Sequence, residues 1–149
     1  MANSQHLAVR DAVAALLQAA PALAGGRVFE NRDYKLAADA SSGVWVFRDD
    51  STPARGPMMV SPIDWTTRVR VVVKARTVGG ITGTSAETAA DTLATEAYAR
   101  VMAAPQLGGL ASDLEAGQIL WQQDEIETSV AMCELEFFVQ HRTTSNLLT

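Results

Sequence analysis

The sequence predicts an α+β fold: a mixed, mostly antiparallel sheet with two main helices packed on one face. Three observations lead there. Apolar residues recur at helical spacing in two stretches, near the N-terminus and after residue 84. Two other stretches, Trp65 to Arg76 and Thr128 to His141, alternate apolar and polar residues with a period of two. The elements fall in the order helix, three strands, helix, two strands, so consecutive strands need no helical crossover. A chain of 149 residues, 48% hydrophobic and 19% charged, is read as one folded domain spanning residues 1–149.

In the first helix Val9, Val13, Leu16, Leu17 and Ala20 form an apolar stripe, with Asp11 and Gln18 opposite. Asn3 or Ser4 caps its start, and Pro21 followed by Gly25-Gly26 ends it. Ala12 to Ala24 also has signal-peptide character, but one arginine, Arg10, with Asp11 directly after it, makes a poor basic leader. The folded-helix reading is preferred, with the cytoplasm as default compartment. The longest apolar run, Ala12 to Leu17, is far short of the ~18–20 residues that a spanning helix requires.

Short strands are expected at Arg27 to Glu30 and Gly43 to Phe47. Pro53, Gly56, Pro57 and Pro62 mark residues 49–62 as a long loop. Trp65 to Arg76 is the clearest strand. Trp65, Thr67, Val69, Val71, Val73 and Ala75 share one face, and Arg68, Arg70, Lys74 and Arg76 load the other. Gly79-Gly80 and Gly83 form a turn. Thr84 with Glu87 makes a capping box for a second helix running to about Met102, along the stripe Ala86, Ala90, Leu93, Ala94, Ala97, Val101. Pro105 and Gly108-Gly109 close it. Gln118 to Gln123, a turn at Asp124-Glu125, and Thr128 to His141 read as a hairpin. A flexible tail is expected from about residue 143. If the Trp65 and Thr128 strands are neighbours, Arg68 and Arg70 share a sheet surface with Glu134 and Glu136, and opposite charges favour that register by roughly 0.2–1 kcal/mol per pair.

The chemistry-bearing residues are few. One cysteine, Cys133, excludes an internal disulfide and falls on an apolar strand face, where a buried structural thiol is the preferred reading. Two histidines, His6 and His141, leave little for a metal or catalytic cluster; His6 is read as solvated and His141 as a half-exposed strand cap. Gly79-Gly80-x-x-Gly83 lacks the lysine and βαβ context of a phosphate loop. The carboxylates Asp49-Asp50, Glu134/Glu136 and Asp124-Glu125 with Glu127 lie in loops or on a polar strand face. The expectation is therefore a non-enzyme with no catalytic residue, no metal and no cofactor. Net charge is −5, from 12 basic and 17 acidic residues, which argues against sequence-specific DNA binding. The basic strand face has two readings, a salt-bridged sheet surface or an electropositive patch for a polyanion or acidic partner.

At this point the chain resembles the phage tail terminator proteins, the minor tail protein U type, also called tail completion proteins. The residues that carry the resemblance are the first helix ending in Gly25-Gly26-Arg27-Val28-Phe29, the strand Trp65 to Arg76 with its glycine turn, and the helix with Ala90, Asp91, Leu93 and Ala97. Leu107-Gly108-Gly109-Leu110 and the closing strand Leu135 to His141, running into Arg142-Thr143-Thr144-Ser145-Asn146, complete it. The resemblance implies a structural virion protein. Such proteins form a hexameric ring on the head-proximal end of the tail tube, stop tube polymerisation and offer a surface for head joining. The implied partners are further copies of the chain, the tail tube protein and a head completion or connector protein. DNA would pass through the lumen only as a polyanion, and no membrane is involved. The location would be the virion tail, reached from the host cytoplasm. Two alternatives stand beside it: another head–tail neck or connector protein, and a small cytoplasmic ligand-binding dimer.

A ring subunit needs two different complementary patches. Trp45, Phe47 and Trp121 are read equally as such anchors or as core. Met58, Met59 and Val60, an apolar triplet in a proline-rich loop, are the first candidates for a ring or partner contact. Arg68, Arg70, Lys74 and Arg76 are the second, for ring salt bridges or a DNA-facing lumen.

Overall fold

The computed structural model describes residues 3–32, 35–54, 62–77, 85–123 and 129–144. Helix α1 spans Gln5–Gln18 and begins as expected, with Ser4 Oγ accepting the Leu7 amide. It buries Val9, Val13, Ala14 and Leu17, and also His6. A short 3-10 turn at Leu23–Gly26 follows, where Gly26 takes φ +91°, a region glycine enters without a Cβ clash. Strand β1 (Val28–Phe29) is only two residues long. Strand β2 (Ser42–Ala54) and strand β3 (Ile63–Arg76) are long and antiparallel. Helix α2 (Ala86–Met102) is capped by Ser85, whose hydroxyl accepts the Thr88 amide. The cap expected at Thr84 is thus corrected by one residue; Thr84 itself lies outside the described residues, as do Gly79, Gly80 and Gly83. A second 3-10 turn at Leu107–Gly109 leads to strand β4 (Asp113–Gln123) and strand β5 (Val130–Thr143).

The strands form one five-stranded sheet in the order β1-β2-β3-β5-β4. Only the β1–β2 pairing is parallel; the others are antiparallel. This is the predicted α+β class. Both helices pack on one face, where Val9, Val13, Ala94, Ala97 and Val101 meet Val44, Val46, Val69, Val71, Leu135 and Phe137. The small side chains of α2 allow its axis to lie close to the sheet. Arg100 on α2 ties the two helices together by donating to the carbonyl of Ala19 (2.9 Å) and to that of Pro21, at the open C-terminal end of α1. On the other sheet face a second cluster forms, in which Leu36 and Ala40 cover Trp45, Phe47, Val72 and Val130.

Three expected boundaries are corrected. The loop assigned to 49–62 starts later, because β2 continues through Ala54 with Ser51 opposite Thr67 and Ala54 opposite Asp64. Pro53 is tolerated there since β1 pairs only with Val44 and Trp45, leaving that part of β2 at the sheet margin. Strand β4 begins at Asp113 rather than Gln118; a register shift between Ala116 and Ile119 breaks the alternation that would have announced it. A Cβ on Gly117 would lie 2.7 Å from the Phe138 ring and 2.5 Å from Glu136 Oε1, so a larger residue there would have to displace those side chains. The tail expected from about 143 is shortened by Thr143, which is buried and accepts the Trp65 indole N–H at 2.8 Å. Asp124, Glu125 and residues 145–149 lie outside the described residues.

Candidate functional site

Residues that lie far apart in the sequence converge on the centre of the sheet. On the face opposite the helices, β3 and β5 are neighbours, so Arg68 and Arg70 share a surface with Glu134 and Glu136, and the register sets Arg70 directly across from Glu136. Arg70 donates to Asp49 (2.8 Å) and Glu134 (3.1 Å), and Arg68 to Asp50 (2.6 Å) and Glu136 (3.4 Å). Arg32 adds a longer contact to Asp49 at 3.5 Å. Two guanidinium groups thus face four carboxylates of their own chain. The patch is not electropositive, and the salt-bridged reading of this face is the one the geometry supports for Arg68 and Arg70. Lys74 is buried, with its ammonium 5.9 Å from the Trp45 ring. Arg76 donates to the carbonyls of Ala40 and Ala37, which pins the segment covering Trp45. The four basic residues therefore lie in one row, and each has a task within the subunit.

A second constellation escaped the sequence reading. His6 from α1, Ser51 from β2, Thr67 from β3 and His141 from β5 form a continuous hydrogen-bonded chain. His6 Nδ1 is 2.8 Å from Ser51 Oγ, Ser51 Oγ 2.7 Å from Thr67 Oγ1, and Thr67 Oγ1 2.6 Å from His141 Nε2. The two imidazoles stand edge to face at 4.8 Å, and Trp65 stacks similarly on His6 at 4.9 Å. His6 and His141 are 6% and 2% exposed, so the expected solvated and half-exposed placements are both corrected. Burial, with Arg48 as a smaller cause, holds His6 below its ordinary 6.5. Burial, with His6 as the smaller cause, pushes His141 down to about 4. Both rings are therefore neutral at pH 7. An open groove runs beside this chain, lined by Ser4, Arg10, Arg32, Phe47, Asp49 and Ser51 among others. Only Thr67 and the tail of the alternating strand pattern hinted at the cluster, because its members come from four separate elements.

Cys133 is fully buried, and burial raises its thiol to about 12, in agreement with a structural thiol. Trp45 and Phe47 belong to the second cluster and are core; Trp121 is 52% exposed and is surface. Among the described residues the exposed large hydrophobic side chains are Phe29, Ile119, Leu120 and Trp121. Phe29 sits on β1 and the other three on β4, the two margins of the sheet. Met58, Met59 and Val60 lie outside the described residues. No helix is long and apolar enough to cross a membrane among the described residues.

The chain matches no family model and no curated protein. Its fold is similar to that of a chain from the virion of a native gene transfer agent particle. The TM-score is 0.50 at 13% identity, over 93% of this chain and 90% of that one. At that identity the likeness is one of fold, extending over nearly the whole of both chains.

Proposed function

We infer that this chain is a structural protein of a phage-like virion, and that it acts as a tail terminator. In this reading it forms a ring, most simply a hexamer, on the head-proximal end of the tail tube. The ring stops addition of tube subunits and presents a surface for a head completion or connector protein. DNA passes the lumen as a polyanion without base readout, and the protein performs no catalysis. The observation that carries the reading is the near full-length fold likeness to a chain of a virion particle. It stands beside the motif resemblance that the residues themselves carry.

The internal ion pairs of Arg68 and Arg70 bear on the details. A ring contact through those side chains would first have to displace carboxylates that already neutralise them, which costs desolvation and pairing energy. The assembly surface is therefore sought elsewhere on the subunit. The test is to add the purified chain to polymerising tail tube protein and measure tube lengths by negative-stain microscopy. Shortened tubes bearing an end ring support the reading. Tubes unchanged in length and bare at both ends, at any ratio of the two proteins, refute it.

A further inference from the structure

We propose that the two margins of the sheet form one head-to-tail contact between copies of this chain: the β1/β2 margin of one copy meets the β4 margin of the next. This rests on the ring reading above and names its interface. The first support is where apolar surface is left exposed. A protein of this size hides its large hydrophobic side chains where it can, and a cluster left in water marks a contact. Here the four large exposed hydrophobic side chains of the described residues divide between opposite margins, Phe29 on β1 and Ile119, Leu120 and Trp121 on β4. The margins stand four strand spacings apart, about 19 Å, so no single small ligand spans them.

Strand β4 is also a long edge. Nine of its eleven residues pair with β5 on one side, and no strand pairs on the other among the described residues. Charge or a bulge blocks such an edge as a template for a further strand, and on β4 both lie in its first half, which leaves the uncharged stretch from Ile119 to Gln123 open beyond the irregularity. Ile119 and Trp121 extend the helix-side face and line a small apolar groove with Ala94, Tyr98 and Leu135. That groove can accept a side chain from a neighbour.

Charge selects the occupant. Strand β4 carries Asp113 and Glu115 and no basic residue. Asp113 accepts only its neighbour's amide, from Leu114, and no cation pairs with Glu115 among the described residues. At the opposite margin Arg27 donates to the Ser42 carbonyl at 2.6 Å and Arg48 to Ser4 Oγ at 3.3 Å, and neither meets a carboxylate among the described residues. A β4–β4 contact would offer neither acid a base and would leave Phe29 in water. A β4–β1/β2 contact pairs unmatched acids with unmatched bases and covers both apolar patches. That contact is heterologous, and repeated by rotation it closes a ring.

The experiment uses the full chain and two margin variants, Phe29→Asp and Trp121→Asp, both at exposed positions, with folding checked by thermal melting. Mass is followed by light scattering over a concentration series. Each variant alone should raise the concentration of half-assembly about thirtyfold, the loss expected for an aromatic anchor at an interface. Mixed together, the two retain one intact pair of surfaces and should give a dimer that grows no further. Glu115→Arg should weaken assembly, and Arg27→Glu in the same chain should restore it. Separately, Phe29→Cys with Trp121→Cys should cross-link into a ladder on oxidation, Cys133 being buried and inert. Assembly unchanged in both margin variants overturns the proposal, as does a Phe29→Asp chain that dimerises by itself at the concentration where the parent chain assembles. A parent chain that stays monomeric to its solubility limit, with no cross-link, overturns it as well. Tube length decides the terminator reading independently, since rings that persist in the margin variants would leave that reading standing with a different contact.

Discussion

Replacing His141 by Gln removes the more deeply buried imidazole while keeping a group that can hydrogen-bond Thr67 Oγ1, now 2.6 Å from His141 Nε2. The substitution isolates one titration. In the folded protein His141 takes up its proton only near pH 4, against 6.5 ordinarily, because burial and the facing His6 disfavour the cation. The unfolded chain therefore binds the proton first as pH falls. Stability is complete above pH 6.5 and is lost progressively towards pH 4. Between pH 7.5 and 5 the loss assignable to this one ring is about 2 kcal/mol. His6 acts with the same sign. Urea unfolding followed by tryptophan fluorescence at the two pH values measures the effect. At a slope of about 1.5–2 kcal/mol per molar urea, the native midpoint should drop by about 1 M on acidification. His141→Gln should drop by clearly less. Equal drops in the two proteins, or none in the parent, would refute the account of a buried, neutral His141 as a determinant of acid stability.

Three further outcomes are expected. Arg70→Met leaves Asp49, Glu134 and Glu136, each under a quarter exposed, without their shared cation, and should destabilise by about 2 kcal/mol in urea unfolding, part of it recovered by adding Glu136→Gln. Phe137→Ala empties a fully buried position on β5, 6.0 Å from the Tyr98 ring, and should cost about 3–5 kcal/mol by the same assay. Met58→Asp with Met59→Asp should leave thermal stability unchanged and block ring assembly in light scattering; an equal fall in melting temperature would assign these two residues to the core.

Much of the fold was legible in the residues because burial imposes periods on a chain. Val69, Val71 and Val73 on β3, and Cys133, Leu135, Phe137 and Val139 on β5, alternate so regularly that both strands and their inward faces could be assigned directly. Ala90, Ala94, Ala97 and Val101 did the same for α2. That Arg68 and Arg70 would share a surface with Glu134 and Glu136 followed from charge once the two strands were placed side by side; which residue faces which is fixed only by the register. Periodicity fails where local geometry departs from it. The irregularity after Ala116 hid the first half of β4, and the prolines at 53 and 62 made the end of β2 look like loop.

The candidate site divides along the same line. The sequence by itself determined the α+β class, the Ser4 cap of α1 and which strand faces turn inward, since each depends on neighbours within a few residues. Only the tertiary structure decided that Asp49 and Asp50 would neutralise Arg68 and Arg70, that His6 would be buried against His141, and that Trp121 would face water while Trp45 did not. These outcomes depend on which strands become neighbours and which are left at the margins. Strand order is settled by how all the apolar faces can be buried at once, a condition on the whole chain that no local pattern encodes.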